Sequence, residues 1–138
     1  NLGMLVVASA LAVVGGAVVL GVTMPRDPLV VLLVFVVAAA ANMAVGALIA
    51  AVVPNQGAAT GAGMLTYMTS LFFAGVWFPL PLMPEVVQTI SRYTPLGAAS
   101  QALAAGWYEG RFPGVELAVM AAWTLVMVPL AARLFRWT

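Results

Sequence analysis

Acid–base and ionic chemistry in this chain rests on four carboxylates and five arginines. The carboxylates are Asp27, Glu85, Glu109 and Glu116; the arginines are Arg26, Arg92, Arg111, Arg133 and Arg136. Glu85, Arg92, Glu109, Arg111 and Glu116 form the set available to an interfacial membrane enzyme, such as a lipid transferase. Their spacing matches no catalytic arrangement, so no catalytic residue is assigned. Cys and His are absent, which excludes thiolate zinc, His-ligated haem, iron–sulfur clusters and Cys or His nucleophilic catalysis within the chain; no metal ligands are assigned. Lys is absent as well, so there is no Gly-x-x-x-x-Gly-Lys-Ser/Thr phosphate loop.

The side chains suited to touching a small molecule are neutral. Asn42 is the one strongly polar residue deep in a long apolar run, sharing a helical face with Gly46 and Ala50. It reads either as an interhelical hydrogen-bonding group or as a substrate contact. Thr66, Tyr67, Thr69 and Ser70 bring hydroxyls to a second run, and Phe72, Phe73, Trp77 and Phe78 bring aromatics to its far end. Trp77 with Phe78 reads as an interfacial belt, with stacking on a small molecule as the alternative.

The elements that position these residues follow from composition. The 138 residues are 64% hydrophobic and 7% charged, against roughly 25% charged in soluble domains. Between Pro28 and Pro84 there is no charged residue at all. A chain this short cannot bury so much apolar surface in a water-soluble core. The expected class is an all-α integral membrane protein with the lipid bilayer as its surroundings. The alternation of a transmembrane barrel is missing, and a net charge of +1 gives no nucleic-acid footprint. Spans are expected at about 2–24, 29–53, 57–77 and 115–135, in one transmembrane domain. The opening Asn1-Leu2-Gly3 has neither an initiator Met nor a basic leader, so the chain is expected to be the C-terminal part of a longer protein.

Between the last two spans the pattern breaks. An apolar run meets Pro79, Pro81 and Pro84; an amphipathic piece follows to Tyr93; Thr94-Pro95 interrupts it; a small-residue segment then continues to Gly106. Helices at about 84–93 and 96–106 rise only about 15 Å each, half of the roughly 30 Å of bilayer hydrocarbon. Proline disfavours a single continuous helix through them. A re-entrant pair is expected, entering and leaving on one side, with Thr94-Pro95 at shallow depth and Glu85 and Tyr108 on the same side. In the first piece Val86, Ile90 and Tyr93 form an apolar stripe, with Glu85, Gln88, Ser91 and Arg92 largely opposite, as in an interfacial helix.

The succession Leu71-Phe72-Phe73-Ala74-Gly75-Val76-Trp77-Phe78-Pro79-Leu80, then Met83-Pro84, then Thr94-Pro95-Leu96, resembles type-2 ABC transporter permeases, including drug and polysaccharide exporters of the daunorubicin-resistance kind. The resemblance covers the last four of six spans. Thr94 stands where the family usually has Asn, which weakens a capping role there. The family's main coupling helix would lie upstream of Asn1. The resemblance implies a permease that binds no cofactor, paired with a second copy, homo- or heterodimeric. A cytosolic ABC ATPase would carry ATP and Mg. The third span would line the pathway, with Thr66, Tyr67, Ser70 and Phe73 as contacts and Asn42 and Trp77 as further candidates. Phe78, Pro79, Pro84, Glu85, Arg92, Thr94 and Pro95 would belong to the exit region. The rival classes are the lipid-modifying enzyme above and an ATP-independent channel or scaffold. Arg26, Arg92 and Arg111 each have an acid nearby in sequence, whereas Arg133 and Arg136 have none. This favours a cytoplasmic C-terminus in a multi-pass protein of the cell membrane.

Overall fold

The computed structural model describes residues 2–135; Arg136 and Trp137 of the basic C-terminus lie outside the described residues. Among the described residues the chain is helical with no strand. The helices are α1 (Leu2–Leu20), α2 (Pro28–Val52), α3 (Gln56–Phe73), α4 (Glu85–Tyr93), α5 (Pro95–Ala104) and α6 (Gly114–Leu134). A 3-10 turn (Leu80–Leu82) precedes α4, and a π-helical turn (Ala105–Glu109) continues α5.

The boundaries follow local chemistry. Asp27 starts α2 by accepting from Val30 N at 3.3 Å, with Pro28 in the first turn, where a missing N–H costs nothing. Asn55 starts α3 by accepting from Ala58 N at 2.8 Å. Two spans end earlier than the sequence suggests. α1 stops at Leu20 rather than near residue 24, because Gly21 turns left-handed at φ 64°. α3 stops at Phe73 rather than Trp77, because Gly75 takes φ 77°; glycine at this position closes helices.

α1, α2 and α6 are long and apolar enough to cross a membrane; α3, the third of the four expected spans, does not meet that standard. Gln56, Thr60, Thr66, Tyr67, Thr69 and Ser70 dilute its eighteen residues.

α2 and α6 pack along each other, and α5 lies against both. The core is made where they meet, from Val34 and Ala41 of α2, Ala98, Ala99 and Ala102 of α5, and Met120 of α6. Alanines on α5 let three backbones approach closely. The loop before α2 is tied to the π-turn: Arg26 N donates to Trp107 O, Asp27 N to Gly106 O, and Trp107 Nε1 to Thr23 O at 2.8 Å. Residues 21–27 and 105–109 therefore share one end of the molecule. The turn between α4 and α5 sits elsewhere. Trp123 Nε1 donates to Tyr93 O at 2.7 Å, and Trp123 is nine residues into α6, about 14 Å along its axis. The turn thus stands beside the middle of α6.

Candidate functional site

The site grows from the way α3 ends. A helix leaves its last carbonyls without partners, and here they are accounted for one by one. Val76 N donates to Leu71 O and Gly75 N to Phe72 O, the pairing of a Schellman cap built on a left-handed glycine. Two carbonyls are left over, and two serines from the following helices take them. Ser91 Oγ of α4 donates to Phe73 O, and Ser100 Oγ of α5 donates to Ala74 O at 2.9 Å. Gln101 Nε2 donates in turn to Ser91 Oγ at 3.3 Å.

This corrects the reading of α4 as a helix with its polar face in water. Ser91 is fully buried, while Val86, Ile90 and Tyr93 are exposed. Glu85 and Arg92 remain exposed, but the serine face turns inward because buried carbonyls need donors. Thr94 is a second correction. It does cap α5: Oγ1 accepts from Gly97 N at 3.2 Å and donates to Ser91 O at 2.8 Å. Gly97 makes the crossing possible, since a Cβ there would lie 2.2 Å from Ser91 O.

The expected pathway residues divide. Thr66, Ser70 and Phe73 recur on one face of α3 and are half-buried, whereas Tyr67 is exposed. Among the described residues the side chains of Thr66, Tyr67 and Ser70 make no hydrogen bond, which leaves their hydroxyls available. Asn42 donates to Ala38 O of its own helix at 2.8 Å and so bridges no helices. Trp77 and Phe78 are exposed beyond the end of α3. Pro79 and Pro84 flank the 3-10 turn, and Pro95 opens α5.

A cleft of about 500 Å³ adjoins the capped end of α3, lined by Leu71, Ala74 and Val76 together with Leu96, Leu103 and Tyr108. None of the expected pathway residues lines it. The sequence reading missed Ser91, Ser100, Gln101 and Gly97. The available signals were Gly75 as a helix stop and Ser100 among Leu96, Gly97, Leu103 and Ala104 on an otherwise apolar face.

The ionisable set forms no acid–base pair suited to catalysis. Arg111 Nη2 donates to Glu116 Oε1 at 2.9 Å and Arg111 Nε to Glu109 Oε2 at 3.2 Å. The bond to Glu116, and after it the bond to Glu109, holds the Arg111 guanidinium charged beyond its ordinary range. Half of that side chain is open to solvent, so each pair is worth at most about 1 kcal/mol.

A family model described as an ABC-2 family transporter protein matches residues 2–133. The chain belongs to the ABC-2 transporter family. No curated protein and no solved structure matches it. As an ABC-2 permease it is a multi-pass membrane component of a transporter. Members of this family are not themselves catalytic and normally work with an ATPase partner. The broken stretch that carried the resemblance is the stretch that holds the serine-capped end of α3.

Proposed function

We propose that this permease is the membrane-spanning subunit of an ATP-driven exporter. It moves an amphipathic or hydrophobic cargo — a drug, lipid or polysaccharide — outward across the cell membrane. Two copies pair around a central path, and each engages a cytosolic ATPase that carries ATP and Mg. α3 also acts as a span and lines the path. α4 and α5 form a re-entrant hairpin at the outer face, and the C-terminus is cytoplasmic.

The observation that carries this reading is α3 itself. It alone among the described long helices combines free hydroxyls with an aromatic on one face, at Thr66, Ser70 and Phe73, with Tyr67 exposed beside them. Such a mixed lining suits a cargo with apolar and polar parts. Its early end, met by two serines of the hairpin, supports irregular backbone within the membrane, which is tolerated where protein surrounds it. The enzyme alternative loses support because Arg111 is shared between Glu109 and Glu116 in an ion-paired cluster.

The test is reconstitution. The purified full-length permease hydrolyses no ATP alone, and its complex with the cytosolic ATPase does; robust hydrolysis by the permease alone refutes the assignment of ATP to a partner. For orientation, Gly110→Cys in intact cells reacts with an impermeant thiol reagent, and Gln56→Cys reacts only after the membrane is opened. External labelling at position 56 inverts the topology.

A further inference from the structure

We infer that Arg92 and Glu116 form a latch between the α4–α5 hairpin and α6. The Arg92 guanidinium closes on Glu116 Oε2, and in this structure the latch stands open. It is a device of the fold and depends on neither cargo nor nucleotide.

Glu116 carries an orphaned atom. Its Oε2 is buried and receives no hydrogen bond among the described residues, while Oε1 accepts from Arg111 Nη2 at 2.9 Å. Arg111 divides its fork between two acids, since its Nε donates to Glu109 Oε2 at 3.2 Å. The usual local partner is missing too. Glu116 is the third residue of α6, a position from which glutamate reaches back to the backbone N–H of the N-cap residue. Here that residue is Pro113, which has no N–H. The backbone N–H of Glu116 itself faces the carboxylate but gives Oε2 no hydrogen bond of good geometry. A buried carboxylate oxygen without a donor is costly, so the site calls for a second cation.

Arg92 is the cation in place to supply it. The next residue, Tyr93, is fastened to α6 by Trp123 Nε1 at 2.7 Å. Trp123 and Glu116 are seven residues apart on α6, two turns, and so share one face of it. Side chains lean toward the N-terminus of their helix, which sets the contact made by Trp123 on the Glu116 side of its own Cα. Arg92 stands close enough for its charge to act on Glu116. Yet it is exposed and pairs with no carboxylate among the described residues. An arginine with a free fork and a carboxylate with a free oxygen are complementary. The latch closes by rotation of the Arg92 side chain, with Tyr93 still held by Trp123. Closed, it ties the last turn of α4 to the first turn of α6. Ser91 and Thr94, on either side of it, cap α3 and α5, so the latch steadies both caps.

The experiment uses the full-length permease in nanodiscs, without ATPase or nucleotide. Arg92→Lys puts an amine into a chain that has no lysine. A water-soluble carbodiimide joins a carboxylate to an amine in contact with it: the C–N amide bond forms, and the carboxyl oxygen leaves on the carbodiimide as a urea. The expected product, found by mass spectrometry, is an amide between the introduced amine and Glu116, lost in Glu116→Gln. A crosslink confined to Glu85 or Glu109 overturns the latch. A shielded carboxylate can escape the reagent, so hydrogen exchange is measured as well and decides where no crosslink forms. Arg92→Gln should raise exchange over residues 92–98 about threefold, within what one partly exposed ion pair supplies. In the Glu116→Gln background the same change should have no effect, and Arg92→Lys alone should keep the protection. No effect of Arg92→Gln, or an equal effect in both backgrounds, overturns the latch. Either result leaves ATP-coupled transport untouched, and failure of ATP coupling leaves the latch standing.

Discussion

α1 and α5 occupy opposite extremes of the same molecule. α1 has nineteen residues and nothing buried across its apolar window, and an open groove separates it from α2. α5 has ten residues, yet Gly97, Ala98, Ala99 and Ala102 are all buried, and it touches α2, α3, α4 and α6. In a membrane protein, apolarity therefore says where a helix is soluble and not how tightly it packs. Lipid is as apolar as leucine, so close packing is decided by small side chains and by polar groups that need partners. α5 supplies both; α1 has small residues too, at Ala8, Ser9, Ala12, Gly15 and Gly16, but none of its apolar window is buried.

The sharpest way to break this contrast is Gly97→Ala. Its Cβ would meet Ser91 O at 2.2 Å and Thr94 Oγ1 at 2.5 Å, so α4 and α5 must part. Overpacking costs about 1–3 kcal/mol, and here the cap at Thr94 is lost as well. The expected result is a large fall in thermal stability in detergent. A wild-type melting temperature would show that α5 is not tightly seated.

Next in size are Ser91→Ala and Ser100→Ala. Each strands a carbonyl at the end of α3, at about 1–3 kcal/mol for a buried unsatisfied group. Ser91→Ala is expected to be the worse, since Ser91 is fully buried and also receives Gln101. Thermal denaturation of both variants checks the order. Hydrogen exchange should rise over residues 74–84 in both; unchanged exchange there would sink the account of the cap.

The smallest effect is expected on α1. Val18→Ala removes a side chain that is 79% exposed and should change the stability of the isolated permease by less than about 0.5 kcal/mol. A larger loss in the same denaturation measurement would mean that α1 is packed after all.

Much of this architecture is legible in the residues. The interruptions at Pro79, Pro81, Pro84 and Thr94-Pro95 are read from local chemistry alone, and the near absence of charge sets the class. The resemblance carried by Leu71 to Leu96 agrees with the family match. Three features were not legible. The run Phe72-Phe73-Ala74-Gly75-Val76-Trp77 reads as unbroken apolar helix, and only the cap geometry shows that Gly75 ends it. Ser91 was given the outward face because polar-out is the rule in water; within apolar surroundings an unsatisfied carbonyl reverses it. The cleft brings Val22 together with Tyr108, a juxtaposition that depends on the tie between Trp107 and Thr23 and on no local pattern.

The serine caps also impose an order on biogenesis. Phe73 O waits for a donor eighteen residues downstream, Ala74 O for one twenty-six residues downstream, and the turn is fastened by Trp123, thirty residues beyond Tyr93. At roughly 5–20 residues per second of synthesis, the end of α3 stays unfinished for about one to five seconds after it is made. During that interval its carbonyls need water or the insertion machinery as surrogate partners. The ribosome thus delivers α3 before the residues that complete it, and α3 reaches its final form only as part of the hairpin that follows.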